Sequence, residues 1–370
     1  MTAALRGGGQ GSSTASSTPL PGLSPLTIQA HAGAVNVARY DSRGRYLLSA
    51  GVDRTVKLWS ISTLTDRSTS SSASSLSSSL STKQQPLKTY TSGHSYEILG
   101  LDITADNSKF ASAGGDKNVN VWDVATGTIL RRFNAHTGRV DDVRFAGSTA
   151  SGGQNQSGNS GAGGDQVLIT AGFDSILRFY DLRAQGAWRP LMECKEAKDA
   201  LLTIDVGADG GSIVSTGSVD GVVRQYDVRK GELRQDTIDE PIVSLTSSAS
   251  GSMMLVSSTS PPHSQATHRL LDTSDGSLLQ SFQGHTNKSY RCHSTLSAAR
   301  EDHVLAGDET GHLRVWDVLS GKQKSATETA TTTITASPHK KAILWTECSP
   351  VDAGHVVTAG ADGLLALWQP

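Results

Sequence analysis

The sequence predicts a seven-unit repeat fold, an architecture whose usual work is to present a binding platform. The first observation behind this is a short run that ends in Trp with an Asp six residues earlier: Asp53 to Trp59, Asp116 to Trp122 and Asp362 to Trp368. A fourth Trp run, Glu309 to Trp316, has Thr310 in the Asp place. Asp174 to Tyr180 and Asp220 to Tyr226 carry Tyr for Trp, and a weak seventh copy reads His268-Arg269-Leu270-Leu271-Asp272. The second observation is the spacing upstream. His31 and His94 each lie 22 residues before their Asp, and Ser49, Ser112, Thr170, Thr216 and Thr358 lie four before theirs.

Units that supply His, Ser or Thr, Asp and Trp at matched offsets resemble the WD40 repeat family. The resemblance implies an all-β fold, a β-propeller with four antiparallel strands per blade. It also implies three buried hydrogen-bonded chains. His31, Ser49, Asp53 and Trp59 form one, and His94, Ser112, Asp116 and Trp122 a second. His339, Thr358, Asp362 and Trp368 form a third, with one extra residue between His and Asp. Each of these groups is costly to bury alone, and together they satisfy one another. A catalytic Ser-His-Asp reading fails on repetition, because a nucleophile needs no copies.

Three units depart from the pattern. The fourth has Lys198 where His is expected, and the sixth has Ala306 and Thr310 for Ser and Asp but keeps His285 and Trp316. The fifth has Leu271 in the Trp position. These blades are expected to rest on packing more than on a polar chain. The last unit stops at Trp368-Gln369-Pro370, after its third strand, while Pro25 to Ala30 is a short extended run with no blade of its own. That N-terminal strand is therefore expected to complete the last blade, which removes two unpaired edges at once and closes a seven-bladed propeller.

The domain organisation follows. Residues 1–24 read as a disordered tail and 25–370 as one propeller, with disordered inserts at 63–85 and 147–165, because Gly/Ser-rich stretches bury too little apolar surface to offset chain entropy. Repeat spacing agrees: Trp59 to Trp122 spans 63 residues and Trp122 to Tyr180 58, against 46 from Tyr180 to Tyr226. One insert falls between third and fourth strands and the other between first and second. Both turns lie on the same face of an antiparallel blade, so the opposite face is left clear. Tyr96, Glu97, Arg139, Phe173, Lys288, Tyr290 and Lys340 are placed on that clear face as candidate protein contacts, since exposed aromatics and Arg anchor interfaces.

Composition bounds the rest. The net charge of −2 gives no global basic balance of the nucleic-acid kind. Cys194, Cys292 and Cys348 form no CxxC or Cys/His cluster and read as reduced thiols of a cytoplasmic or nuclear protein. No apolar run approaches 18 residues, and the Gly/Ser-rich start is not a secretory signal. No P-loop, dinucleotide fingerprint, H-E-x-x-H or G-x-S-x-G is present, so no catalytic residue, cofactor or metal is assigned.

Several degenerate stretches are similar to the mitogen-activated protein kinase organizer subfamily of WD-repeat proteins. They are Ser112-Ala113-Gly114-Gly115-Asp116-Lys117, Ser218 through Asp227, Arg269-Leu270-Leu271-Asp272 with Gly284-His285, and His285 with Asn287-Lys288 and Tyr290. The similarity runs collinearly from about Ile28 to Trp368; the Ser- and Gly-rich inserts depart from it. It implies a non-enzymatic scaffold, a monomer that binds proteins of a kinase cascade or of the pre-mRNA splicing machinery, in cytoplasm and nucleus. Direct RNA contact stays open. A second class stands beside it: Asp181-Leu182-Arg183 and Asp227-Val228-Arg229 repeat an Asp-x-Arg step similar to the motif that docks some WD40 proteins on the adaptor of cullin-4 ubiquitin ligases. A local Asp–Arg pair is the plainer reading of Arg183 and Arg229.

Overall fold

Burial along the strands runs from continuous to alternating. Val35–Tyr40, Tyr46–Gly51 and Val140–Phe145 are buried along almost their whole length, whereas Ile129–Phe133 and Glu232–Thr237 alternate exposed and half-buried residues. The first kind is sandwiched between neighbouring sheets and the second lies at a rim. The computed structural model describes residues 25–65, 85–147, 164–184, 186, 188–207, 211–260, 266–298, 301–323, 338–352 and 354–369. The reading of 1–24 lies outside the described residues, as do 66–84 and 148–163 of the two inserts. The first insert begins later than the sequence reading placed it, because residues 63–65 end a short helix, Ile61–Thr65, that buries Ile61 and Leu64.

The strands form seven antiparallel meanders. The first strands of blades one to seven are Val35–Tyr40, Ile98–Ile103, Val140–Phe145, Leu201–Val206, Ile242–Ser247, Ser294–Leu296 and Ile343–Cys348. They touch in a closed cycle around a central channel. Leu26–Gln29 pairs antiparallel with Leu364–Trp368, Leu26 opposite Leu367 and Gln29 opposite Leu364, so the N-terminal strand is the fourth strand of blade seven. This is a seven-bladed β-propeller closed by its N-terminal strand. Blade six departs from the four-stranded expectation: among the described residues it has three strands, and beyond them only a single bridge from Trp316 to Gln323.

Each innermost strand leaves one edge facing the channel, and each seam between blades satisfies that edge with a side chain. Arg39 Nε donates to the Leu101 carbonyl (3.3 Å), and Arg144 Nε to that of Ile204 (3.1 Å). Asp102 accepts from Phe145 N–H (2.8 Å), Asp205 from Ser247 N–H (2.9 Å) and Glu347 from Tyr40 N–H (3.1 Å). Thr246 Oγ1 donates to the Ser294 carbonyl (2.8 Å), and His293 Nδ1 lies 3.0 Å from the Thr346 carbonyl. The belt thus crosses all seven seams, and the Arg39 and Arg144 guanidinium nitrogens that make no hydrogen bond among the described residues lie 3.7–3.9 Å from the Asp102 and Asp142 carboxylates. Burial pushes the Asp205 carboxyl up to about 6, against the hydrogen bonds from Ser247 that favour its charge.

Six of these inner strands carry a register shift at their second residue, for example between Val35 and Val37 and between Val140 and Asp142. A bulge re-aims the extra side chain. Here it turns Asn36, Leu99, Asp141 and Leu344 to the channel mouth, on the face away from the inserts.

Candidate interaction face

The three sequence-assigned chains are brought together with one polarity. Trp59 Nε1 donates to Ser49 Oγ (2.9 Å), which lies 2.7 Å from His31 Nε2, while His31 Nδ1 lies 2.9 Å from Asp53. In blade two Trp122, Ser112, His94 and Asp116 repeat the sequence at 2.9, 2.8 and 2.9 Å. In blade seven Trp368, Thr358, His339 and Asp362 do so at 3.0, 2.9 and 3.1 Å. Every hydroxyl accepts from an indole and can donate to an imidazole, so no polar atom of the chain is wasted.

The chains matter for the face because the second oxygen of each Asp pins the loop that enters its blade. Ser95 N–H reaches Asp116 (3.0 Å), Thr137 N–H reaches Asp174 (3.1 Å), and Lys340 N–H reaches Asp362 (2.9 Å). Tyr96, Glu97, Arg139 and Lys340 are held at or beside these pinned residues. Burial pushes the Asp116 carboxyl up, but the hydrogen bond and charge of His94 outweigh it and bring it down to about 2. Asp53 and Asp174 shift down for the same reasons.

Blade three holds a chain that sequence spacing hides. His136 Nδ1 lies 2.9 Å from Asp174 and its Nε2 lies 2.8 Å from Thr170, but the insert stretches the His–Asp separation to 38 residues. Subtracting the insert would have found it. The departing blades, expected to rest on packing more than on a polar chain, add ion pairs and ring contacts of their own. In blade four Arg224 takes the place of the missing His, binding Asp220 through Nη1 (3.1 Å) and Nη2 (2.8 Å). In blade six Asp308, two residues before Thr310, is the buried carboxylate; it accepts from Arg314 Nε (3.0 Å) and Thr310 Oγ1 (2.6 Å). In blade five Arg269 binds Glu240 (2.8 Å), and His268 stacks on His285 with centroids 4.0 Å apart.

Thr216 and Thr358 occupy the same place in blades four and seven and are both fully buried. Thr358 is bonded on both sides, whereas Thr216 Oγ1 has no hydrogen-bond partner among the described residues. Thr358→Val is therefore expected to cost about 1–3 kcal/mol and Thr216→Val to be neutral or stabilising. Urea unfolding of the two isosteric variants checks this; equal losses would contradict it.

On the face itself Tyr96, Phe173 and Tyr290 are exposed, and the Arg139 guanidinium lies 5.2 Å over the Phe173 ring. A cavity of about 330 Å3 opens at the channel mouth, and Glu97, Arg139 and Tyr290 line it together with Val52, Leu344 and Trp345. Arg291 reaches across the mouth from the loop before blade six to Asp141 of blade three (3.3 Å), which Arg139 also binds (3.2 Å). Lys288 and Lys340 are exposed on the same face but do not line the cavity. Arg183 and Arg229 lie beyond third strands, on the opposite face. Arg183 closes a two-bonded pair with Asp181, Nε and Nη2 both at 3.0 Å, while Arg229 bonds Asp227 through its backbone N–H (3.0 Å). Among the described residues no group of three or more His, Cys, Asp or Glu could hold a metal ion, and no helix is long and apolar enough to cross a membrane.

A seven-bladed ring tied by repeated Trp–Ser/Thr–His–Asp chains is the architecture of WD-repeat propellers. The family model described as "WD domain, G-beta repeat" matches residues 23–60 and 84–123. WD repeat domain-containing protein 83 of Danio rerio is 35% identical over 295 residues, 80% of this chain and 79% of that protein. The Homo sapiens protein of that name is 34% identical over 82% of this chain and 81% of its own length. The Dictyostelium discoideum homolog is 26% identical over 92% of this chain and 95% of its own. The chain belongs to the WD-repeat family of WD repeat domain-containing protein 83.

Proposed function

We propose that this protein is a non-enzymatic scaffold that holds the proteins of a multi-component assembly, with the insert-free face as its main docking surface. One observation carries the reading: an apolar-walled mouth ringed by exposed Tyr96, Phe173 and Tyr290, the first two beside the polar chains of blades two and three and the third in a loop held by Glu309. Exposed aromatics on a rigid frame bind at low entropic cost. The assembly proposed from the family resemblance is a MAP-kinase cascade or the splicing machinery, in cytoplasm and nucleus. The ligase-adaptor alternative gains nothing from Arg183, whose guanidinium is already paired within its own turn.

The test is a comparison of co-purified proteins. Phe173→Ala with Arg139→Ala, shown folded by circular dichroism, is expected to lose a defined subset of the partners that wild type retains in affinity-purification mass spectrometry. An unchanged partner set, with binding abolished instead by shortening the 63–85 insert, would move the function to the opposite face.

A further inference from the structure

We propose that the channel mouth and the arc of blades six, seven, one, two and three around it form one docking site for an acidic segment of a protein partner. An apolar side chain of that segment fills the cavity. The proposal rests on the reading of this face as an interaction surface and adds the chemistry of what it takes.

The charges of the two signs are unequally committed on this arc. Its carboxylates are used internally: Asp53, Asp116 and Asp362 hold histidines, Asp308 holds Arg314, and Glu309 accepts the backbone N–H groups of Lys288, Ser289 and Tyr290. In the mouth Asp141 is paired with Arg139 and Arg291, and the Glu97 carboxylate accepts from Asn36 Nδ2 (3.4 Å). Arg54, Lys117, Lys288, Lys340 and Lys341 are exposed, and none of them ends in an ion pair among the described residues. A chain of net charge −2 thus presents an uncompensated positive arc. On the loop entering blade four exposed Lys198 is offset by exposed Asp199 beside it, and the loop entering blade five exposes Asp239, so the arc fades there.

Two of these cations occupy positions that resist them. Arg54 (φ 63°) and Lys117 (φ 67°) sit in the left-handed region, at the turn place where blades four, six and seven have Gly221, Gly311 and Gly363. A non-glycine residue there is strained, and Ser175 of blade three bears the same turn at φ 62°, so what blades one and two add at this place is the positive charge.

The apolar surface coincides with the same arc. Among the described residues, the exposed large apolar ones on this face are Val52, Tyr96, Phe173 and Tyr290, from blades one, two and three and the loop entering blade six. The cavity is also confined to blades six, seven, one, two and three. Ala34, Val52, Leu99, Leu344 and Ala361 give its wall an aliphatic part, beside Tyr290 and Trp345, which suits an apolar side chain of Leu or aromatic size. An apolar anchor flanked by carboxylates satisfies both features at once.

The probe is a fluorescein-labelled random copolymer of glutamate and tyrosine, titrated with the full chain by fluorescence anisotropy. Binding is expected to weaken steeply with salt and to drop on the order of tenfold or more in Lys340→Glu with Lys341→Glu. Val52→Asp is expected to weaken it as well, and polyglutamate lacking tyrosine should bind less tightly than the copolymer. No binding at low salt, or binding indifferent to all three changes, overturns the proposal. Tighter binding of a labelled uridine 20-mer than of the copolymer also overturns it, in favour of RNA. If Phe173→Ala with Arg139→Ala changes the partner set while the copolymer fails, the face is right and its chemistry wrong. If neither responds, both readings fall.

Discussion

Removing residues 1–32 is expected to lower folding stability by about 3–6 kcal/mol, from the lost burial of Ile28 and the broken His31 chain together. The truncation takes away the whole fourth strand of blade seven, Leu26–Gln29, and with it four residue pairs to Leu364–Leu367. Ile28 lies in the core cluster that also holds Trp59, Leu365 and Leu367. His31 links Ser49 to Asp53, so blade one loses its polar chain at the same moment. Ring closure makes this worse than trimming an ordinary terminus, because Leu364–Trp368 is left as an unpaired outer edge and blade seven loses its covalent link to blade one. Removal of residues 1–22 only, which leaves the strand intact, is expected to shift the melting temperature little. Thermal melts of the two truncations decide it, and equal losses would mean that closure does not rest on this strand.

What the sequence made legible is what repeats. The closing strand was readable because blade seven ends at Trp368 and an extended run stands unassigned at the other terminus. The polar chains of blades one, two and seven were readable because nothing interrupts the spacing from His to Asp. Blade three was hidden by its insert, although His136 stands in the same geometry as His94. The ion pairs of blades four and six were illegible for a different reason. Arg224 and Arg314 do the work of histidine from another strand, and Asp308 sits two residues off the expected place. Spacing cannot reveal a substitution that changes both residue type and position; only the geometry of satisfaction does. The seam belt of Arg39, Asp102, Arg144 and Asp205 was illegible for a related reason. Each of its bonds joins residues of different blades, and no single repeat contains a bonded pair. The face was half legible. Loop position put Tyr96, Phe173 and Tyr290 on it, but Arg291 reaching across to Asp141 depends on a contact 150 residues long.

Asp116→Ala is expected to cost on the order of 3 kcal/mol, several times the cost of Thr310→Ala, because it strands a buried donor. Asp116 accepts from His94 Nδ1, from the N–H of Ser95 and from that of Asn118, so one deletion leaves buried His94 without its acceptor and loosens two more exposed turn bonds. Thr310 stands at the same turn of blade six, but it is exposed and acts as one donor among several to Asp308. The asymmetry has a pH signature. The Asp116 carboxyl is held at about 2 against an ordinary 3.8, burial raising it and the His94 hydrogen bond and charge more than reversing that. A depressed carboxyl stabilises the fold fully above its unfolded value and loses that contribution as the pH falls through its folded one. The stability gap between wild type and Asp116→Asn is therefore expected to hold steady from pH 7 down to about 4 and to narrow towards about 2. Denaturant unfolding of both proteins across that range measures it. A gap that stays constant to the acid end would show that Asp116 is not held as a carboxylate by His94, and a gap that opens on acidification would reverse the sign of the whole chain.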